Sequence, residues 1–343
     1  MSKDTMKQAV VIEPGNIQVE EAPIPKPGPG ELLIKVHNLG LCGSDIHAYA
    51  GEHAGPVYPF ISGHEMSGEI ADANGSSVYK NGDKVIVIPQ TFCGECDVCK
   101  AGNNHWCMAL RIPGVMVPGM AREYVAFPER MILRVPEDMP YEVAAAIEPL
   151  AVAVHSCVKA GDLTGKNVLV LGAGVIGNFA AQAAKLKGAG KVVLAGRREF
   201  RMDFARQVGI EDLINTDDQD LTEGVLAHFG GLPDVVLDFI GVGDSVNVAL
   251  AHCRKGGVVV LSGIYGDPVP VDLGMIQHNE INLVGTMMYT VDEFNWCIKA
   301  AHEKKLLVEP LVTSHFTLDT FNEAYAYIAA KDTPFMKVMI DIA

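Results

Sequence analysis

The chain has 343 residues, 49% of them apolar and 20% charged, a composition that fits a globular protein and excludes a disordered one. A formal net charge of −15 opposes binding to nucleic acid and to anionic membrane surfaces. The opening MSKDTMKQAVVIEPG lacks the apolar core of a signal peptide and no run reaches membrane-spanning length, so a cytoplasmic protein is expected.

Residues 1–150 carry short β-type runs (AVVIE, ELLIKVH, GDKVIVIP) punctuated by turn signals such as EPGN, PKPGPGE and YKNGDK. A β-rich, loop-rich domain is expected there. From residue 151 to 286 the pattern changes. Apolar strands (NVLVLG, KVVLAG, DVVLDFIG, GGVVVLSG, INLVGTM) alternate with Ala-rich helical stretches, which predicts an α/β unit with a doubly wound parallel sheet. Residues 287–343 return to short mixed elements, including DEFNWCIKAAHEKKL and TLDTFNEAYAYIAAKD, and end in the strand-like KVMIDI. The run NTDDQD, with Asp217, Asp218 and Asp220, reads as a solvated loop.

Within the alternating segment, VLVLGAGVIGN places Gly172, Gly174 and Gly177 in a G-x-G-x-x-G pattern between a strand and a helix. Gly172 permits the tight turn, Gly174 lets a pyrophosphate approach the backbone, and Gly177 lets the helix pack on the strand. The helix start at Val175 and Ile176 then offers free N–H groups to phosphate.

Five of the eight cysteines fall in suggestive places, and the other three, Cys157, Cys253 and Cys297, read as small apolar core residues. Cys93, Cys96, Cys99 and Cys107 are spaced C-x2-C-x2-C-x7-C. Four thiolates from one loop can close a tetrahedral zinc site, and an iron–sulfur cluster is the competing assignment. A redox C-x-x-C would not need four cysteines in successive turns. Cys42, the pair His64-Glu65, and Glu148 are scattered. Together they offer a thiolate, an imidazole and two carboxylates, a set suited to an open catalytic zinc.

These residues resemble the medium-chain, zinc-dependent alcohol dehydrogenase family, through Cys42-Gly43-Ser44-Asp45-x-His47, Gly63-His64-Glu65, the four-cysteine lobe and the later glycine motif. The resemblance implies a GroES-like catalytic domain (1–150 and 287–343) around a Rossmann domain (151–286). Within the family the pattern is similar to sorbitol and other polyol dehydrogenases, because IEPLAVAVHSC puts Glu148 where several alcohol dehydrogenases carry a cysteine ligand. It implies two zinc ions, a catalytic one at Cys42, His64 and Glu65 or Glu148, and a structural one at the four cysteines. Ser44 and His47 would relay a proton, with Glu65 and Glu148 also acting in catalysis. Ser262, Gly263, Ile264, Thr286, Met287 and Met288 join the cofactor-binding residues, and relatives are commonly homodimers or homotetramers.

Two departures refine that expectation. Polyol enzymes often carry Arg-Tyr where this chain has Met288-Tyr289, which disfavours sorbitol itself and leaves a smaller diol such as 2,3-butanediol in view. NAD-using relatives end the second strand of the nucleotide domain with an Asp that binds the ribose; this chain has Gly196 followed by Arg197, Arg198 and, further on, Arg201. Glycine removes a carboxylate that would repel a 2′-phosphate, and arginines supply its counter-charge, so NADP(H) is expected over NAD(H). The sequence thus predicts a zinc-dependent polyol or vicinal-diol dehydrogenase. A threonine-type amino-alcohol dehydrogenase or an NAD(H)-linked butanediol dehydrogenase is the rival enzyme, and a nucleotide-sensing binding protein is the rival of another class.

Overall fold

The computed structural model describes residues 4–53, 55–330 and 333–343. Contacts divide the chain into two compact units, one of Met1–Glu148, Thr290–His302 and Val312–Ala343, the other of Pro149–Tyr289 and Glu303–Leu311. The expected division gave all of 287–343 to the first unit. Residues 303–311 instead pack with the second, and the reason is visible at Gln182. Its amide accepts from Leu307 N (2.7 Å) and donates to Leu307 O (3.1 Å).

In the first unit, strands lie in the order Val312–Thr317, Lys337–Asp341, Glu31–Gly40, Glu65–Asp72, Lys84–Val87 and Ile132–Arg134, and Tyr124–Pro128 also pairs with Glu31–Gly40. Glu31–Gly40 is the hub. Its alternate residues Leu32, Ile34 and Val36 are at most 1% exposed, and the residues between them are half-buried. That period of two is what a strand with one face on a core produces. Met66, Ile70, Val85 and Val87 face the same core.

The second unit holds a six-stranded parallel sheet in the order Leu213–Asn215, Lys191–Gly196, Asn167–Leu171, Val235–Asp238, Val258–Leu261, Asn282–Gly285. Its central strands are apolar through their middles, not alternating, because helices cover both faces; Val168, Leu169, Val170 and Leu171 are all at most 2% exposed. The chain reverses direction across the sheet between Asn167–Leu171 and Val235–Asp238, the place where nucleotide crevices form in such folds. The five strands expected from sequence are present. A sixth, Leu213–Asn215, is only three residues long and precedes the acidic run. That run is more than a solvated loop: Asp217 accepts from Arg198 N (2.8 Å), and Asp220 caps the helix Leu221–Phe229 by accepting from Glu223 N (3.0 Å). Among the described residues no helix is long and apolar enough to cross a membrane.

Candidate active site

Cys42 sits immediately before the helix Gly43–Ala50, and His64 and Glu65 come from the turn that starts the strand Glu65–Asp72. Gly63 makes that turn with φ +92°, and the register of the sheet pairs Glu65 with Gly40, two residues before Cys42. One ligand atom from each of Cys42, His64 and Glu65 lies within 4.8 Å of the others. Sulfur, nitrogen and carboxylate from three residues match the three-ligand set of an open zinc site. Glu148, in the helix Ile147–Lys159, is buried, and its charge is felt at His64 and Lys337, but it stands outside that close group.

Two residues to which the sequence alone assigned no role complete the cluster. Asp45, 1% exposed, accepts from Cys42 N and Gly63 N (3.0 Å each), and its Oδ1 is 3.9 Å from His64 Nδ1. It therefore ties both ligand-bearing segments together and stands behind the imidazole, as carboxylates behind metal-bound histidines do. Burial opposes a charged His64, but Asp45, Cys42 and Glu148 outweigh it and hold its pKa well above the ordinary value. An arriving metal ion would displace that proton. Lys337, 3% exposed, forms an ion pair with Glu65 and donates to Leu41 O (2.9 Å). Gly40 makes room for the pair, since a Cβ there would strike the Glu65 carboxylate and approach Lys337 Cε to 2.8 Å.

Ser44 and His47 lie three residues apart on the helix Gly43–Ala50, so they are neighbours on its surface. His47 is largely exposed, and its Nδ1 is 2.9 Å from Glu52 Oε2.

The four cysteines of the lobe converge, each sulfur within 4.8 Å of the rest. Gly94 (φ +79°) and Gly102 (φ +83°) make the turns between them. The sulfurs of Cys93 and Cys107 are 3.5 Å apart and those of Cys96 and Cys107 4.0 Å, close to the roughly 3.8 Å edge of a zinc–thiolate tetrahedron. Backbone N–H groups of Cys93, Glu95, Cys96 and Ala109 point at these sulfurs (3.3–3.4 Å) and favour their anionic form. Hydrogen bonds from the Met108 and Cys99 backbone bring the Cys96 thiol down to about 6, whereas burial pushes Cys99 up to about 12. A cation is what would let all four ionise together.

In the nucleotide unit, the strand Asn167–Leu171 runs into Gly172 (φ +105°), and Gly174 caps the helix Val175–Leu186. Gly177 is obligatory because a Cβ there would overlap the Gly172 carbonyl oxygen. Asn178 was not foreseen: its amide donates to Ala173 O (3.2 Å) and Gly174 O (3.0 Å), which fixes the turn. A 520 Å³ cavity opens here, lined by Gly172, Gly174, Gly196, Arg197, Arg198 and Arg201 among others. Arg201 Nη1 lies 3.8 Å from where a Gly174 Cβ would be, and its buried Nε has no hydrogen-bond partner among the described residues. Burial, then the charges of Arg198 and Arg197, push the Arg201 guanidinium below its ordinary pKa. Arg198 adopts φ +71° at the start of the helix Glu199–Gln207.

Ser262, Gly263 and Ile264 follow the strand Val258–Leu261, and Thr286, Met287 and Met288 follow the edge strand Asn282–Gly285, at the same end of the sheet as the glycine turn. Ser262 Oγ donates to Ser156 Oγ (2.7 Å) and receives Thr286 Oγ1 (3.3 Å). Ile264 and Met287 are exposed, and Met288 has φ +55°.

Fold, metal-ligand clusters and glycine turn together define a zinc-type dehydrogenase, and comparison with known proteins agrees. Residues 28–137 match the alcohol dehydrogenase GroES-like domain, and residues 175–303 match the zinc-binding dehydrogenase domain. The chain belongs to the zinc-dependent medium-chain alcohol dehydrogenase family, with polyol dehydrogenases among its relatives, and is an NAD(P)-dependent alcohol dehydrogenase. It is similar to a sorbitol dehydrogenase of Bacillus subtilis (31% identity, 98% of this chain and 97% of that one). An L-threonine 3-dehydrogenase of Deinococcus deserti is 32% identical over 90% of this chain and 91% of its own. Among solved structures, a zinc-binding dehydrogenase of Sinorhizobium meliloti bound to NADP superposes with a TM-score of 0.91 at 28% identity, covering 99% of this chain and 100% of that one. An alcohol dehydrogenase of E. coli complexed with NADH does so at 0.92 and 27%, with the same coverage.

Proposed function

We propose that this protein transfers a hydride between the secondary alcohol of a polyol or vicinal diol and NADP(H), with a catalytic and a structural zinc in each chain. The observation that carries the cofactor choice is the unpaired arginine cluster. In the nucleotide unit Arg206 and Arg254 are each ion-paired with a carboxylate, whereas Arg197, Arg198 and Arg201 share one cavity rim and, among the described residues, no carboxylate pairs with their guanidinium groups. Three like charges gathered beside the glycine turn repel one another unless an anion joins them. A 2′-phosphate is the anion that a dinucleotide would bring there.

Zinc held by Cys42, His64 and a glutamate would act as a Lewis acid that lowers the pKa of the substrate hydroxyl. Around it the chain's own groups have separate tasks. Asp45 orients His64, and Lys337 holds one oxygen of Glu65. Ser44 and His47 would carry the hydroxyl proton outward, and Glu52, 2.9 Å from His47, would receive it at the surface. Met288-Tyr289 in place of Arg-Tyr supports a diol less polar than sorbitol. A homodimer or homotetramer remains the expected assembly.

Parallel titration with NADPH and NADH, followed by nicotinamide fluorescence at one salt concentration, tests the cofactor. Binding of NADPH at least tenfold tighter is expected. Equal or tighter NADH binding would leave the arginines as surface charges and return the assignment to NAD(H).

A further inference from the structure

The most buried carboxylate of the nucleotide unit has no part in the chemistry above. Asp238 ends the strand Val235–Asp238 at 0% exposure, and among the described residues no lysine or arginine pairs with it. Its Oδ1 accepts from Ile240 N (2.8 Å), and its Oδ2 accepts from both Ser245 Oγ (2.8 Å) and Tyr265 OH (2.7 Å). Its backbone carbonyl takes the N–H groups of Ser262 (2.9 Å) and Gly263 (3.0 Å). A carboxylate in apolar surroundings is costly unless its lone pairs are filled, and here only neutral donors fill them.

Ser245 opens the helix Ser245–Ala251, and the other donors come from two loops that leave the sheet side by side. One follows Asp238 itself, and its Phe239 and Ile240 line the cavity beside Gly172. The other follows the strand Val258–Leu261. They touch at Gly241 and Gly263, where a Cβ on either would collide with the backbone of the other. No side chains interlock at that contact, so beyond the two backbone bonds to the Asp238 carbonyl the loops are tied by the Tyr265–Asp238–Ile240 chain. Outward from it stand Ile240, Val242 and Ile264, at 42%, 64% and 74% exposure, on loops that are nonetheless fixed from below.

We infer that Asp238, Ser245 and Tyr265 form a clamp of positioning residues that sets the cofactor-binding rim, holding Ile240 and Gly263 where the bound dinucleotide needs them. The inference rests on this cavity being the dinucleotide site and not on which dinucleotide it prefers. Tyr265 packs its ring against the sheet core, so Tyr265→Phe removes the hydroxyl and leaves the packing. Ser245→Ala removes the other hydroxyl, which also lies 2.7 Å from Tyr265 OH.

Wild type, Y265F and S245A are titrated with NADPH and with NADH, and the Tm and zinc content of each are measured. For whichever nucleotide wild type binds more tightly, each variant should bind about five- to tenfold more weakly, through faster release, as expected for losing a hydrogen bond to a charged group. Zinc content should not change, and Tm should fall by no more than about 4 °C. Wild-type affinity in both variants overturns the clamp. So does a loss of affinity that comes only with a larger fall in Tm or with loss of zinc, since that is general destabilisation. Tighter NADH than NADPH binding by wild type would sink the NADP reading and leave the clamp standing; no binding of either would sink both.

Discussion

The Lys337 ammonium is buried against the Glu65 carboxylate, one residue from His64 and across the sheet from Gly40. The pair is almost wholly shielded from water, so removing one partner strands the other. Lys337→Met should therefore destabilise the metal-free protein by about 3–5 kcal/mol. With zinc bound the penalty should shrink, because the released carboxylate gains a second cation to face. Thermal melts with and without zinc check this. A Tm loss of equal size in both states would mean that Glu65 does not sense the metal.

Gly196 leaves no space for the residue that NAD-using relatives place there. A Cβ would sit 2.5 Å from Ala173 Cβ and 2.8 Å from Ala173 N, within the glycine turn itself. Gly196→Asp should thus not simply exchange one cofactor for the other. NADPH binding is expected to weaken more than tenfold, and NADH should gain nothing, because the turn must shift to admit the side chain. Tight NADH binding by G196D, measured by fluorescence titration, would show that the turn yields easily.

What could be read from the sequence was what lies close along the chain. The glycine turn, its helix and the four-cysteine lobe are local patterns, and the βαβ rhythm is strong because a parallel sheet buried on both faces has uniformly apolar strands. Lys337 was not legible: it reaches Leu41 from 296 residues away, and nothing in KVMIDI marks its lysine as a partner for a metal-site glutamate. Asp45 looked like part of a motif but not like the residue that joins the Cys42 and His64 segments. The arginines were legible as charge, but that no carboxylate among the described residues pairs with them was not. Asp217 shows the reverse error, a residue dismissed as solvated whose carboxylate holds the Arg198 backbone in its left-handed conformation.

The cysteines should separate into two chemical groups. Burial pushes the thiol of Cys157 to about 12 and that of Cys253 to about 11, and Cys297 is fully buried. None of the three should react with iodoacetamide in the native protein at pH 8. Chelation of zinc should expose Cys93, Cys96, Cys99 and Cys107 to labelling, seen by peptide mass spectrometry, and leave those three silent. Cys107→Ser should lower the zinc content by one ion per chain and reduce Tm. If chelation left the lobe unlabelled, the four sulfurs would not be metal ligands.

Acid should weaken the catalytic unit partly through Asp83. Its side chain is 7% exposed and accepts from Arg134 Nη2 (2.7 Å) and Lys80 N (3.0 Å). Burial alone would raise its pKa, but the Arg134 bond, the Lys80 N–H and the Arg134 charge outweigh it and hold the carboxyl below its ordinary value. A folded-state pKa below the unfolded one stabilises the fold above the unfolded value, near 4, and that contribution disappears as pH falls through the depressed one. Arg134 is half exposed, so solvent screening limits the contribution to about 1 kcal/mol. Asp83→Asn should lower the denaturation midpoint at pH 7 and pH 5 equally, and the gap from wild type should close as pH drops below 4. A gap that stays constant through that window would show that the ion pair contributes nothing and that the amide merely packs less well.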